Sequence, residues 1–255
     1  GTAESVTSAV TASVANVNDT PINTIPGLQT VTEDTPLAIT GLAANDPDGD
    51  LVTTELSVTN GILTVSLAEG ATISAGANSS STLTLSGTQA QINAALGTVS
   101  YQGNLHFNGS DTLTMLSSDS AGTPLTDSDS VAITVNAVDD PPTLSVASDT
   151  LAFSEDDAAT VIDGALTVAD VDDMHLESAT ISITNGFVSG EDVLVFVDTG
   201  IITGSYDAGS GVLTLAGSAT TADYESALKS IAYQNTNALN PNITNRTVTW
   251  VVNDG

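Results

Sequence analysis

Basic side chains are almost missing from this chain: Lys229 and Arg246 stand against 31 acidic residues, leaving a formal net charge of −29 over 255 residues. A surface so acidic cannot displace the counterions of nucleic acid or settle on an anionic bilayer, so both are excluded as partners. Cysteine is absent altogether, which removes disulfide staples, thiolate metal sites and a thiol nucleophile. His106 and His175 are the only histidines, each beside an apolar residue in a strand or loop, with no cysteine to join them around zinc. Aromatic residues make up 4% of the chain, too few for a run of sugar-stacking platforms. No apolar stretch is long enough to span a bilayer. These absences speak against an enzyme, and no catalytic or organic-cofactor residue is assigned.

What the chain does have is a hydrophobic fraction of 40%, enough for a core, so the acidity is not that of a disordered tail. The sequence also repeats itself about every 121 to 135 residues, and its carboxylates are the best-kept part of the copy. Val17-Asn18-Asp19-Thr20-Pro21 recurs as Val138-Asp139-Asp140-Pro141-Pro142, Glu33-Asp34 as Glu155-Asp156, Asp46-Pro47-Asp48 as Asp170-Val171-Asp172, and Asp119 as Asp254. Clustered carboxylates without basic partners suit a hard divalent cation, and Ca²⁺ would cancel two charges per ion. Acidity that merely keeps a secreted or salt-adapted protein soluble is the plainer reading, but it leaves the spacing unexplained. Asp46-Pro47-Asp48-Gly49-Asp50 begins like an EF-hand, yet Leu51 and Ser57 occupy the positions that need Gly and Glu.

Short Val-, Ile-, Leu- and Thr-rich segments alternate apolar with polar residues, as in Ser130 to Val135, Val212 to Leu215 and Thr247 to Val251. This is the pattern of antiparallel sandwich strands. One helix per repeat interrupts it: Thr88-Gln89-Ala90-Gln91 reads as a capping box opening Thr88 to Leu96, and Thr221 to Leu228 takes the matching place. Tyr101 and Tyr233, after the two helices, are expected in the core with hydroxyls reaching the surface. Trp250 is expected in the core.

The organisation expected is therefore residues 1–18 as the final strand of a preceding repeat, 19–140 as repeat 1, and 141–255 as repeat 2 lacking its last strand. Two readings of the out-of-phase ends stay open. The chain is an excerpt of a longer array, or its first strand, Val6 to Val14, fills the vacant edge of repeat 2 in an identical neighbour, building a head-to-tail donor-strand filament.

The succession Glu33-Asp34-Thr35-Pro36-Leu37, Asp46-Pro47-Asp48-Gly49-Asp50, Asn60-Gly61, Ile92-Asn93-Ala94-Ala95-Leu96, Tyr101, Phe107-Asn108-Gly109-Ser110-Asp111 and Val135-Asn136-Ala137-Val138-Asp139-Asp140-Pro141 resembles the cadherin-like extender repeats of giant bacterial RTX and biofilm-type surface adhesins. It is also similar to repeats of the chondroitin-sulphate-proteoglycan type. The resemblance implies an all-β chain of two tandem Greek-key, Ig-like sandwiches with calcium at the junction of successive units. Carried over, the complete junction set is Glu33 or Asp34, Asp119, Asp139, Asp140, Asp170 and Asp172. An upstream set of Asn18, Asp19, Asp46, Asp48 and Asp50 would bind weakly in isolation, while Glu155, Asp156 and Asp254 would await a further unit. The linkers Asn16-Val17-Asn18-Asp19 and Asn136-Ala137-Val138-Asp139-Asp140 depart from the cadherin Asp-x-Asn-Asp-Asn, and Asp-Arg-Glu is missing, so one or two ions per junction are implied instead of three.

The function expected is that of calcium-stiffened extender repeats of an extracellular or cell-surface adhesin, which project terminal binding domains in cell adhesion and biofilm formation. Sites of Kd ~10⁻⁴ to 10⁻³ M fill only where free calcium is as high as it is outside cells. The competing class is a calcium-dependent carbohydrate-binding module, with glycan contacts in Gly186 to Gly211, which holds Phe187, Phe196 and Tyr206.

Overall fold

A computed structural model describes residues 1–15, 17–120, 122–147 and 150–255; Asn16, one of the linker positions compared above, lies outside them. The chain divides into two compact units, Gly1–Val138 and Asp139–Gly255. Among the described residues no helix is long and apolar enough to cross a membrane.

Unit 1 runs through β1 (Ile22–Thr24), β2 (Gln29–Thr32), β3 (Leu37–Ala38), β4 (Ala43–Asn45), β5 (Leu51–Ser57), β6 (Gly61–Thr64), β7 (Thr72–Gly76), β8 (Thr82–Ser86), α1 (Gln89–Leu96), β9 (Ser100–Gly103), β10 (Gly109–Asp119) and β11 (Thr126–Asn136). One sheet has the order β2-β11-β10-β5-β8-β7, a second has β3-β9-β6, and β1 pairs with β4. Pairing is antiparallel except that β2 joins the sheet parallel to β11, with Gln29 opposite Ile133. The period of two decides what is buried: in β11, Val131, Ile133 and Val135 point inward while their neighbours face water. They meet Leu56, Leu83, Leu113, Met115 and Tyr101 in one core.

Unit 2 repeats the plan with β12 (Thr143–Ser145), β13 (Thr160–Val161), β14 (Thr167–Ala169), β15 (His175–Asn185), β16 (Asp192–Val195), β17 (Thr203–Asp207), β18 (Val212–Thr220), α2 (Thr221–Lys229), β19 (Ala232–Asn235) and β20 (Thr247–Asn253). Its sheets are β17-β18-β15-β20 and β13-β19-β16, with β12 on β14. The all-β, sandwich-like architecture with one short helix per unit is as expected. Counterparts of β2 and β11 are missing among the described residues of unit 2. The segment matching β2, Leu151 to Ser154, forms no ladder there.

Both helices begin as their sequence dictates. The Thr88 side chain accepts from Gln91 N–H, and Gln91 Oε1 accepts from Thr88 N–H, closing the capping box. At α2, Thr220 caps Asp223 N–H, and Asp223 stands in the first turn where the helix dipole favours an anion. Tyr101 is fully buried and Tyr233 nearly so. Their hydroxyls, expected at the surface, instead donate to the buried carboxylates of Asp111 (3.0 Å) and Asp192 (2.6 Å), because a phenol this deep needs an internal acceptor. Burial and then the adjoining carboxylate raise both pKa values, that of Tyr233 to about 12.

Candidate metal centres

Helix α1 sets up the first cluster. Asn93 exchanges two 2.8 Å hydrogen bonds with the backbone of Ala44 in β4, and Gln89 Oε1 accepts from Asp46 N–H at 2.8 Å. The chain leaving β4 then turns tightly: Asp48 and Gly49 N–H groups donate to Asp46 Oδ1 at 2.9 and 3.2 Å, and Gly49 takes φ +76°, where it carries no Cβ penalty. The first linker joins this loop through Asp19 N–H to Asp48 Oδ2, 2.6 Å. Asn18 Nδ2 donates to Asp119 Oδ2 at 2.7 Å, and Ser120 N–H donates to the Asp50 carbonyl. Carboxylate oxygens of Asp46, Asp48 and Asp50 lie within 4.8 Å of one another.

Unit 2 builds the same arrangement. Asp172 and Asp173 N–H groups donate to Asp170 Oδ1 at 3.2 and 2.9 Å, and Asp140 N–H donates to Asp172 Oδ2 at 3.1 Å. Asp139, Asp173 and Asp254 bring oxygens within 4.8 Å of one another. Here Glu225 Oε2 on α2 holds Val168 N–H at 3.1 Å, serving β14 as Asn93 serves β4.

Like charges this close disturb one another. The Asp50 carboxyl is raised, first by burial and then by Asp46, Asp119 and Asp48. Asp139 is raised by the charge of Asp254, by burial, and by Asp173 and Asp172. Burial opposes the charge of Asp170 too, but the N–H groups of Asp173 and Asp172 outweigh it and hold that pKa down.

The residues fit a hard cation. Asp46 Oδ2 and Asp50 Oδ1 in unit 1, and Asp170 Oδ2 and Asp254 Oδ2 in unit 2, are buried oxygens without a hydrogen-bond donor, an arrangement costly for a bare carboxylate. Neither basic side chain relieves them: Lys229 pairs with Glu225 and Arg246 with Asp192. All-oxygen donor sets of this kind suit Ca²⁺.

The expected grouping needs correcting. Asp119 does not share an end of unit 1 with Glu33. Strand β10 ends at Asp119 beside Thr126 and starts at Gly109 beside Val135, and Glu33 N–H bonds the Asn136 carbonyl at that starting end. An 11-residue strand separates them, roughly 30 Å. Asp119 instead completes the Asn18, Asp19, Asp46, Asp48 and Asp50 set, which is therefore richer than expected. Asp254 likewise belongs with Asp139, Asp140, Asp170 and Asp172 and awaits nothing. Glu33 is buried, its Oε1 accepting Val138 N–H. Asp34 sits in a left-handed turn, φ +57°, and its Oδ1 accepts His106 N–H; Asp156 repeats that conformation at φ +66°. Glu155 and Asp156 are exposed and stand away from the Asp254 cluster, Glu155 beside Arg246 and Trp250. Asp173 was missed. It aligns with Gly49, so motif matching passed over it, although the acidic run Asp170-Val171-Asp172-Asp173 was there to be read. Phe187, Phe196 and Tyr206 pack against the core of unit 2.

The sequence family described as "Protein GAMETE EXPRESSED 2 domain" matches residues 52–127. Halomucin of Haloquadratum walsbyi (strain DSM 16790 / HBSQ001) is 32% identical over 130 residues, which is 49% of this chain and 1% of that protein. Among solved structures, extracellular cadherin domains 1–5 of protocadherin gamma B2 align with 93% of this chain and 40% of their own, at 15% identity and a TM-score of 0.34. Mouse cadherin-23 EC22–24 aligns with 92% of this chain and 65% of its own, at 17% identity and a TM-score of 0.30.

Proposed function

We propose that the chain supplies two non-catalytic extender repeats of an extracellular adhesin of the bacterial RTX or biofilm type, and that calcium stiffens them. What carries this reading is the double construction of one carboxylate set: linker Asx and Asp, Asp-x-Asp loop and strand-end Asp, each time with buried carboxylate oxygens that lack a donor. Asp46, Asp48, Asp50 and Asp119 with Asn18 and Asp19 would hold one site, and Asp139, Asp140, Asp170, Asp172, Asp173 and Asp254 the other. Bound calcium supplies positive charge that offsets their repulsion. The chain's own groups do the rest: the linker backbone is tied to the Asp-x-Asp loop through Asp19 and Asp140 N–H, and Glu33 grips Val138 N–H. Only Asp139 then lies between two anchored linker residues. A hinge so short loses its freedom once its carboxylate is fixed on an ion. An extracellular location follows from the same premise, since exposed oxygen sites of modest affinity fill where calcium is abundant.

Calorimetric titration of the EDTA-stripped chain tests this reading. Heat of binding at both clusters is expected, with Asp119→Asn weakening only the unit 1 site and Asp254→Asn only the unit 2 site. X-ray scattering should narrow from a broad to a single extended distribution when calcium is added. Identical melting and scattering in calcium and in EDTA would refute the metal role.

A further inference from the structure

We propose that unit 2 is completed by a second copy of the chain, whose segment Ser5–Ala15 lies along β20 as β11 lies along β10. This goes beyond the calcium reading and does not depend on it.

Strand β20 is an edge of its sheet. Register matches it to β10, since Ile181 faces Trp250 where Leu56 faces Met115. Met115 is fully buried under its covering strands, whereas Trp250 is half-exposed and borders a cleft of about 710 Å³ with Leu151, Phe153, Tyr233 and Val248. In unit 1 that volume is closed by Val131, Ile133 and Val135 of β11, and by Val31 of β2, which only β11 holds in the sheet. Glu155, the counterpart of Glu33, likewise lacks the backbone donor that Val138 supplies to Glu33. Unit 2 is short of one strand, and its first strand goes unladdered as a result.

Residues 5–17 align without a gap on 126–138, putting Val10 and Val14 in the places of Val131 and Val135. Val6, Val10 and Val14 are 95%, 92% and 93% exposed, an alternating apolar row with nothing to cover it. The fit is specific to unit 2. In unit 1 a polar row crosses the sheet interior: Thr54 meets Ser117 at 3.1 Å, Ser117 Oγ donates to Asn23 at 2.6 Å, and Asn23 N–H donates to Asp127 at 2.7 Å. The corresponding positions of unit 2 are Ala179, Val252 and Leu144, all apolar, and Val6 takes the place of Asp127. Size is matched as well: Phe153 and Trp250 replace Val31 and Met115, while the smaller Ala12 replaces Ile133. The donor segment carries no charged side chain between Ser5 and Ala15, so it can approach an acidic partner without repulsion.

The full chain, followed by analytical ultracentrifugation over a range of concentrations, should form head-to-tail assemblies in calcium and in EDTA. Val10→Asp alters an exposed side chain, so the monomer still folds, and it should leave the chain monomeric. A synthetic peptide of residues 5–17 should bind this variant and shift the emission of Trp250, the sole tryptophan, to the blue. The same peptide with Val6→Asp should bind at least about tenfold more weakly, because it buries an unpaired charge against Leu144 and Val252. A full chain that stays monomeric, assemblies that survive Val10→Asp, or a peptide that leaves Trp250 unmoved would each overturn the proposal.

Discussion

At the residue scale the two units answer one demand with exchanged charges. In unit 1, Asp111 on β10 accepts the Tyr101 hydroxyl and the N–H groups of Thr59 and Asn60. In unit 2 the matching β20-side position is Arg246, and the carboxylate has moved to Asp192 on β16, where it receives Tyr233 at 2.6 Å and Arg246 Nε at 3.1 Å. Asp192 has a fully buried side chain, so Arg246→Ala strands a buried charge and should cost about 3–5 kcal/mol. Urea unfolding should show this loss in the unit 2 transition alone, with Arg246→Ala plus Asp192→Asn recovering part of it. The acidic clusters carry a pH signature. The folds favour the protonated forms of Asp50 and Asp139, so their contribution is complete below the ordinary value of 3.8 and is lost as pH rises through the raised values. Asp170 runs the opposite way, contributing above 3.8 and losing its effect on acidification. Calcium binds the ionised forms, so the melting-temperature gain from calcium over EDTA should grow between about pH 4 and pH 7. An equal gain at both ends would count against the sites.

At the element scale the helices matter more for what they hold than for their own burial. Thr88→Ala removes the cap of α1, at a cost of ~0.5–2 kcal/mol. Because Gln89 and Asn93 fasten Asp46 and β4, the same change should weaken calcium binding in unit 1 and leave unit 2 untouched, as paired titrations can check. That helix start was readable, since a capping box is a local signal spanning Thr88 to Gln91. The Asp46-Pro47-Asp48 and Asp170-Val171-Asp172 loops were readable for the same reason. Which end of a sandwich a carboxylate occupies was not: Asp119 closes a strand whose direction depends on its pairing with β5 and β11, and pairing is non-local. Nor were the Tyr101–Asp111 and Tyr233–Asp192 bonds, because the two acids occupy different elements in the two copies and no repeat alignment brings them together.

For the whole molecule the governing quantity is the charge of −29, which opposes compactness. In EDTA, added sodium chloride should raise the melting temperature steadily by screening that repulsion. In calcium, where the densest clusters are neutralised, the same salt series should be much flatter. Parallel slopes would mean that the destabilising charge lies outside the clusters. The lone parallel pairing, β2 against β11, also fixes an order of events. A chain made from its N-terminus produces Gln29–Thr32 early, yet no ladder exists for it until Thr126–Asn136 has followed. Closure of unit 1 is thus a late, long-range step of the kind that slows β-rich folding. A repeat built this way stays open while it is being made and delivered, and locks only when its last strand arrives.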